Sequence, residues 1–83
     1  MPMSHEQYSA WLSEWFHRRA PHVVFDSNEN FFQAGAIDSL GVIELIEELE
    51  RAFGVQFNQV DFQDRRFTNV HGLAQLLDEK SGS

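Results

Sequence analysis

Gly35-Ala36-Ile37-Asp38-Ser39-Leu40-Gly41-Val42-Ile43-Glu44-Leu45-Ile46-Glu47-Glu48-Leu49-Glu50-Arg51-Ala52-Phe53 is the stretch on which the reading of this chain depends. Val42, Leu45, Ile46, Leu49 and Phe53 fall at i, i+3, i+4, i+7 and i+11, one apolar stripe of helical period that must face a core. Asp38 is suited to cap this helix, because its carboxylate can accept from amides that the first turn leaves without partners. Ser39 then stands at the first helical position and points outward. At ~100° per residue, Leu40, Glu44, Glu47 and Arg51 cluster at roughly 80–140° from Ser39, with Ile43 at their border and the core stripe near 300°. A solvated face would place polar residues at Leu40 and Ile43, so these two beside Ser39 indicate a surface that other proteins touch.

Eighty-three residues make one domain, expected over 1–80, with Ser81-Gly82-Ser83 as a flexible tail. Eight phenylalanines, two tryptophans and a tyrosine in so short a chain argue for real packing. A net charge of −7 with no basic stripe disfavours nucleic acid and favours basic protein partners. The charge is concentrated where the serine is: Asp38, Glu44, Glu47, Glu48 and Glu50 oppose only Arg51 there. No cysteine is present, which removes disulfides, thiolate metal sites and a protein-borne thiol nucleophile. No membrane-length apolar run or leader pattern is visible, and the expectation is a cytoplasmic monomer.

Working outward, Ser4 and Gln7 form an S-x-x-Q capping box, followed by Tyr8, Trp11, Leu12, Trp15 and Phe16 as a wide aromatic face. Arg18 and Arg19 suit the negative end of that first helix, and Pro21 stops it. From Pro21 to Asp38 turn formers dominate, with Val23, Val24, Phe25, Phe31, Phe32 and Ile37 as anchors across the bundle. Gly35 is expected at a positive-φ turn, and Gly54 at the left-handed end of helix two. Asn58 caps a short third helix to about Asp64. Thr68 or Asn69 caps a last helix carrying Val70, Leu73, Ala74 and Leu77. The expected fold is an all-α four-helix bundle with a long loop between helices one and two.

Two chemical readings fail. Asp26, Asn28 and Asn30 match the opening ligands of a calcium loop, but Phe31 and Ile37 stand where the glycine and glutamate belong, so the asparagines are turn residues. Ser39 lacks the leading glycine of a nucleophile elbow and the strand beneath it, and His5, His17, His22 and His71 are scattered. No catalytic or metal site is expected.

Asn30-Phe31-Phe32-Gln33-Ala34-Gly35, then Asp38-Ser39-Leu40, then a helix ending Glu50-Arg51-Ala52-Phe53-Gly54-Val55, resembles the acyl and peptidyl carrier proteins, from about Glu6 to Leu77. The resemblance implies a 4′-phosphopantetheine arm, donated by coenzyme A, on Ser39 behind Asp38, and a cargo held as a thioester. That would suit a chain without cysteine. A phosphate there would lie by the positive end of a helix dipole. The implied partners are a phosphopantetheinyl transferase, an adenylating or acyl-loading enzyme and a downstream condensing or transferring enzyme, with Leu40, Ile43, Glu44 and Glu47 as the contact face. Gly41 replaces the acid that fatty-acid carriers usually place after Ser-Leu. Asn30–Gly35 leans to peptidyl carriers, and Asp61-Phe62 with Phe67 resembles D-alanyl and stand-alone aminoacyl carriers. The expectation is a discrete carrier of an aminoacyl or acyl group, favouring a nonribosomal-peptide-like pathway. Its alternatives are an acyl carrier for fatty-acid or polyketide synthesis and a cofactor-free acidic interaction module.

Overall fold

The computed structural model describes residues 3–82 and orders them as α1 (His5–Arg19), α2 (Ser39–Phe53), α3 (Gln59–Gln63), a 3-10 turn (Arg65–Thr68) and α4 (Val70–Gly82). The expected capping box starts α1: the Gln7 amide donates to Ser4 Oγ at 3.3 Å, and the Ser4 amide to Gln7 Oε1 at 2.8 Å. Each cap satisfies amides that helical geometry strands. Tyr8, Leu12, Trp15 and Phe16 are buried as their period requires, while Trp11 is only partly covered.

The most extensive backbone approach is between α1 and α4 and between α4 and the 3-10 turn. Helix α2 instead meets α1 through large side chains. Tyr8 and Trp11 present their rings edge-on to Phe53, with centroids 5.1 and 5.2 Å apart. Leu45 and Leu49 are fully buried beneath it, and Val42 and Ile46 flank them. The helix ends at Gly54, whose φ of 69° lets its N–H turn back to the Glu50 carbonyl.

The long connection is held by few but firm attachments. Phe31 is fully buried and stacks on Phe16 at 4.9 Å. Its amide donates to the Thr68 carbonyl at 2.8 Å, and the His71 amide donates to the Ser27 carbonyl at 2.9 Å. Ile37 is buried, and Val23 and Phe25 are partly so. Two expected anchors are not anchors: Val24 is 93% exposed and Phe32 39%. Val23, Val24 and Phe25 alternate as an extended run does, so the middle side chain must face out.

The region after α2 differs in detail from expectation. Helix α3 ends at Gln63, and Asp64 caps a separate 3-10 turn by accepting from the Arg66 amide at 2.9 Å. Asn69, not Thr68, caps α4, accepting from the Gly72 amide at 2.6 Å. Helix α4 runs through Gly82, into the segment expected as a tail. Ser81 Oγ donates to the Leu77 carbonyl at 2.8 Å and meets the Tyr8 hydroxyl, which ties that turn to α1. Met1, Pro2 and Ser83, the outer ends of the expected domain and tail, lie outside the described residues.

Candidate functional site

The turn before α2 delivers Ser39 to the surface. Asn30 Oδ1 accepts from the amides of Phe32 and Gln33 at 2.9 and 3.1 Å, closing a turn around the buried Phe31. The Ala36 amide donates to the Phe31 carbonyl at 3.0 Å, and Gly35 takes a φ of 77° between them. Ile37 then plugs the core, so Asp38 must emerge at the rim.

Asp38 caps α2 as expected: its Oδ1 accepts from the Gly41 amide at 2.8 Å and its carbonyl from the Val42 amide at 3.0 Å. Ser39 is the first helical residue, it is exposed, and its hydroxyl has no hydrogen-bond partner among the described residues. Among the described residues no histidine is bonded to it; His5 and His71 meet each other, ring centroids 4.7 Å apart. A free hydroxyl at a helix N-terminus is available to an incoming reagent but has no activating group of its own.

The face around Ser39 holds the residues that periodicity placed there. Leu40 is 71% exposed and Ile43 55%, and Glu44 and Glu47 are exposed beside them. Glu44 differs from Glu47 in one respect. Arg19 Nη1 donates to Glu44 Oε2 at 2.6 Å, whereas Glu47 forms no ion pair among the described residues. One turn further along, the Trp15 indole N–H donates to Glu48. Trp15 and Arg19 are four apart on α1, and Glu44 and Glu48 four apart on α2. In the sequence Arg19 reads only as a helix-end charge; its reach to the second helix is set by how α1 and α2 come together.

Arg19, Ala20, Gly35, Ala36, Ile37 and Asp38 line a shallow open depression at the start of α2. Gly41 is buried there: a Cβ on it would fall 2.8 Å from Ile37 Cγ1 and 3.0 Å from Arg19 Nη2. Among the described residues no three His, Asp or Glu side chains gather as a metal site, and no helix is long and apolar enough to cross a membrane.

Comparison with known proteins finds a family and relatives for this chain. Residues 12–77 match the family described as phosphopantetheine attachment site. The D-alanyl carrier proteins of Streptococcus pyogenes serotypes M5 (strain Manfredo), M49 (strain NZ131) and M1 are each 36% identical over 52 residues, 63% of this chain and 66% of theirs. The chain thus spans just under two thirds of the length of these curated relatives.

Proposed function

The chain belongs to the phosphopantetheine-binding family of acyl and peptidyl carrier proteins, and from that premise we propose that Ser39 is its attachment residue and that its cargo is an aminoacyl group. Proteins of this family are carriers without a catalytic site of their own. One observation supports Ser39 above all: its hydroxyl is exposed and unpartnered at the first position of α2, behind the Asp38 cap.

In this reading Ser39 Oγ attacks the pantetheine-bearing phosphorus of coenzyme A inside a separate transferase. A serine O–P bond forms, the anhydride P–O bond breaks, the adenosine bisphosphate portion leaves, and the hydroxyl proton passes to a base of the transferase. The surroundings suit the product, since the phosphodiester charge lies near the positive end of the α2 dipole and no side chain covers the hydroxyl. The arm contributes the terminal thiol that this cysteine-free chain lacks and holds cargo as a thioester. Leu40, Ile43, Glu44 and Glu47 form the face read by the transferase, an adenylating enzyme and a downstream transferring enzyme.

The aminoacyl cargo is supported by the likeness to D-alanyl carrier proteins, together with Gly41 and the Asn30–Gly35 and Asp61–Phe67 segments. A nonribosomal-peptide-like pathway in the cytoplasm is the setting we propose.

Intact-mass measurement after treatment with coenzyme A and a phosphopantetheinyl transferase tests the site. The parent should gain one arm and Ser39→Ala none, with its helical circular dichroism unchanged, because an exposed first-turn serine contributes little packing. An arm on the alanine variant would remove Ser39 from the role. The arm-bearing protein is then offered to an amino-acid-adenylating enzyme and, separately, to a malonyl transferase. Malonyl loading without aminoacyl product would turn the cargo assignment toward fatty-acid or polyketide synthesis.

A further inference from the structure

Arg19 belongs to α1, yet its guanidinium lies across the opening turns of α2. Nη1 bonds Glu44 at 2.6 Å, Nη2 and Nε cover the bare Cα of Gly41, and Cζ sits 5.3 Å from the centroid of the Trp15 ring. The side chain is thus held on three sides and is only 32% exposed. A cation placed this way does more than bridge two helices. Glu44 and Glu47 are neighbours at i, i+3, and the attraction they exert on a distant basic surface is a sum of their charges. Arg19 turns Glu44 into one half of a dipole whose field fades quickly with distance, while Glu47 keeps its full charge.

We propose that Arg19 is a specificity-determining residue of the docking face: by neutralising Glu44 it leaves Glu47 as the acid that acts at range beside exposed Leu40 and Ile43. The face therefore meets a basic enzyme surface with less charge than its sequence carries, and its pull on a dense basic patch is reduced. Gly41 is part of the same device, because any side chain there would displace the guanidinium. The inference rests on Ser39 being the modified residue, so the rate of that modification can report it.

The experiment measures kcat/KM for arm transfer at low and high salt, for the parent and for Arg19→Gln, Arg19→Lys, Glu44→Gln and Arg19→Gln with Glu44→Gln, with helicity and Tm recorded for each. Freeing one exposed carboxylate should raise kcat/KM for Arg19→Gln by about two- to fivefold at low salt. That gain should vanish at high salt and in the double variant, because it acts through Glu44. Arg19→Lys should match the parent, and Glu44→Gln, which leaves the guanidinium unpaired, should lower the rate at low salt by about as much as Arg19→Gln raises it. A fall or no change in a folded Arg19→Gln protein would overturn the proposal, as would a gain that survives Glu44→Gln. Should Arg19→Gln fail to fold, Arg19→Met, which keeps an unbranched stem beside Gly41 and Trp15 but removes the charge, takes its place under the same two outcomes. Absence of any arm on the parent would sink the attachment reading itself, a result distinct from modification that ignores Arg19.

Discussion

Two helical glycines meet opposite obstacles, and the difference decides what each tolerates. At Gly72 a Cβ would lie 2.6 Å from both Cα and O of Arg66, which are backbone atoms of the 3-10 turn that cannot step aside. Gly72→Ala gains roughly 1 kcal/mol of helix propensity, but forced contact inside packed structure costs about 1–3 kcal/mol. The clash wins here because both partners are main chain. We expect a net loss of up to about 2 kcal/mol in urea unfolding, and a more stable variant would show that the turn can move. Gly41 faces the movable end of Arg19 and also Cγ1 of the buried, β-branched Ile37. Its substitution should move Arg19 off the docking face and also cost stability through Ile37.

Among the elements, α3 is the one that packing explains least, for it buries no residue completely. Its hold comes from Phe62 edge-on to Phe67 at 5.3 Å and from the Lys80–Asp61 ion pair at 2.7 Å, with Lys80 also over the Phe57 ring. Partial burial works against the Asp61 carboxylate, yet hydrogen bonds from Lys80 and the Asn58 amide outweigh it and hold its pKa below the ordinary aspartate value. A pKa lowered by folding means stability that is present at neutral pH and is lost as pH falls through the folded value. Asp61→Asn keeps an acceptor for the Asn58 amide but removes the charge. The variant should melt below the parent at neutral pH, and the gap should close once the pH drops beneath the normal aspartate range. A gap that persists in acid would mean that the ion pair is not what holds α3. Asp64, lowered by its bonds from Arg66, keeps its own acid sensitivity in both proteins.

At the scale of the molecule, a chain this small has one core, and Phe31 is where the long connection enters it. The ring is fully buried against Phe16, and its amide is bonded to Thr68. Phe31→Ala should cost about 3–5 kcal/mol, against a whole-domain stability on the order of 5–15 kcal/mol. Chemical denaturation should show a midpoint shifted far down, or a chain already unfolded in water. A loss under about 1 kcal/mol would mean that the loop is not stitched to the bundle through this ring. Ser39 depends on that stitch at a distance, because the turn around Phe31 aims Asp38 at the rim.

Periodicity and capping are local, so the sequence by itself determined the helices: the stripe of Val42, Leu45 and Leu49, the caps at Ser4, Asp38 and Asn58, the positive-φ turn at Gly35 and the left-handed end at Gly54 all lie within a few residues of what they control. The exposure of Ser39, Leu40 and Ile43 follows from the same 3.6-residue geometry. Which loop residues anchor was not local. Val24 and Val23 are the same residue type in adjacent positions, and only the course of the chain turns one outward. The pairing of Arg19 with Glu44, of Trp15 with Glu48 and of Tyr8 with Ser81 joins residues on different helices, as does the backbone contact at Gly72 with the 3-10 turn. Tertiary structure alone decided these, because a long side chain finds its partner by where two helices come together in space, and the sequence order does not carry that distance.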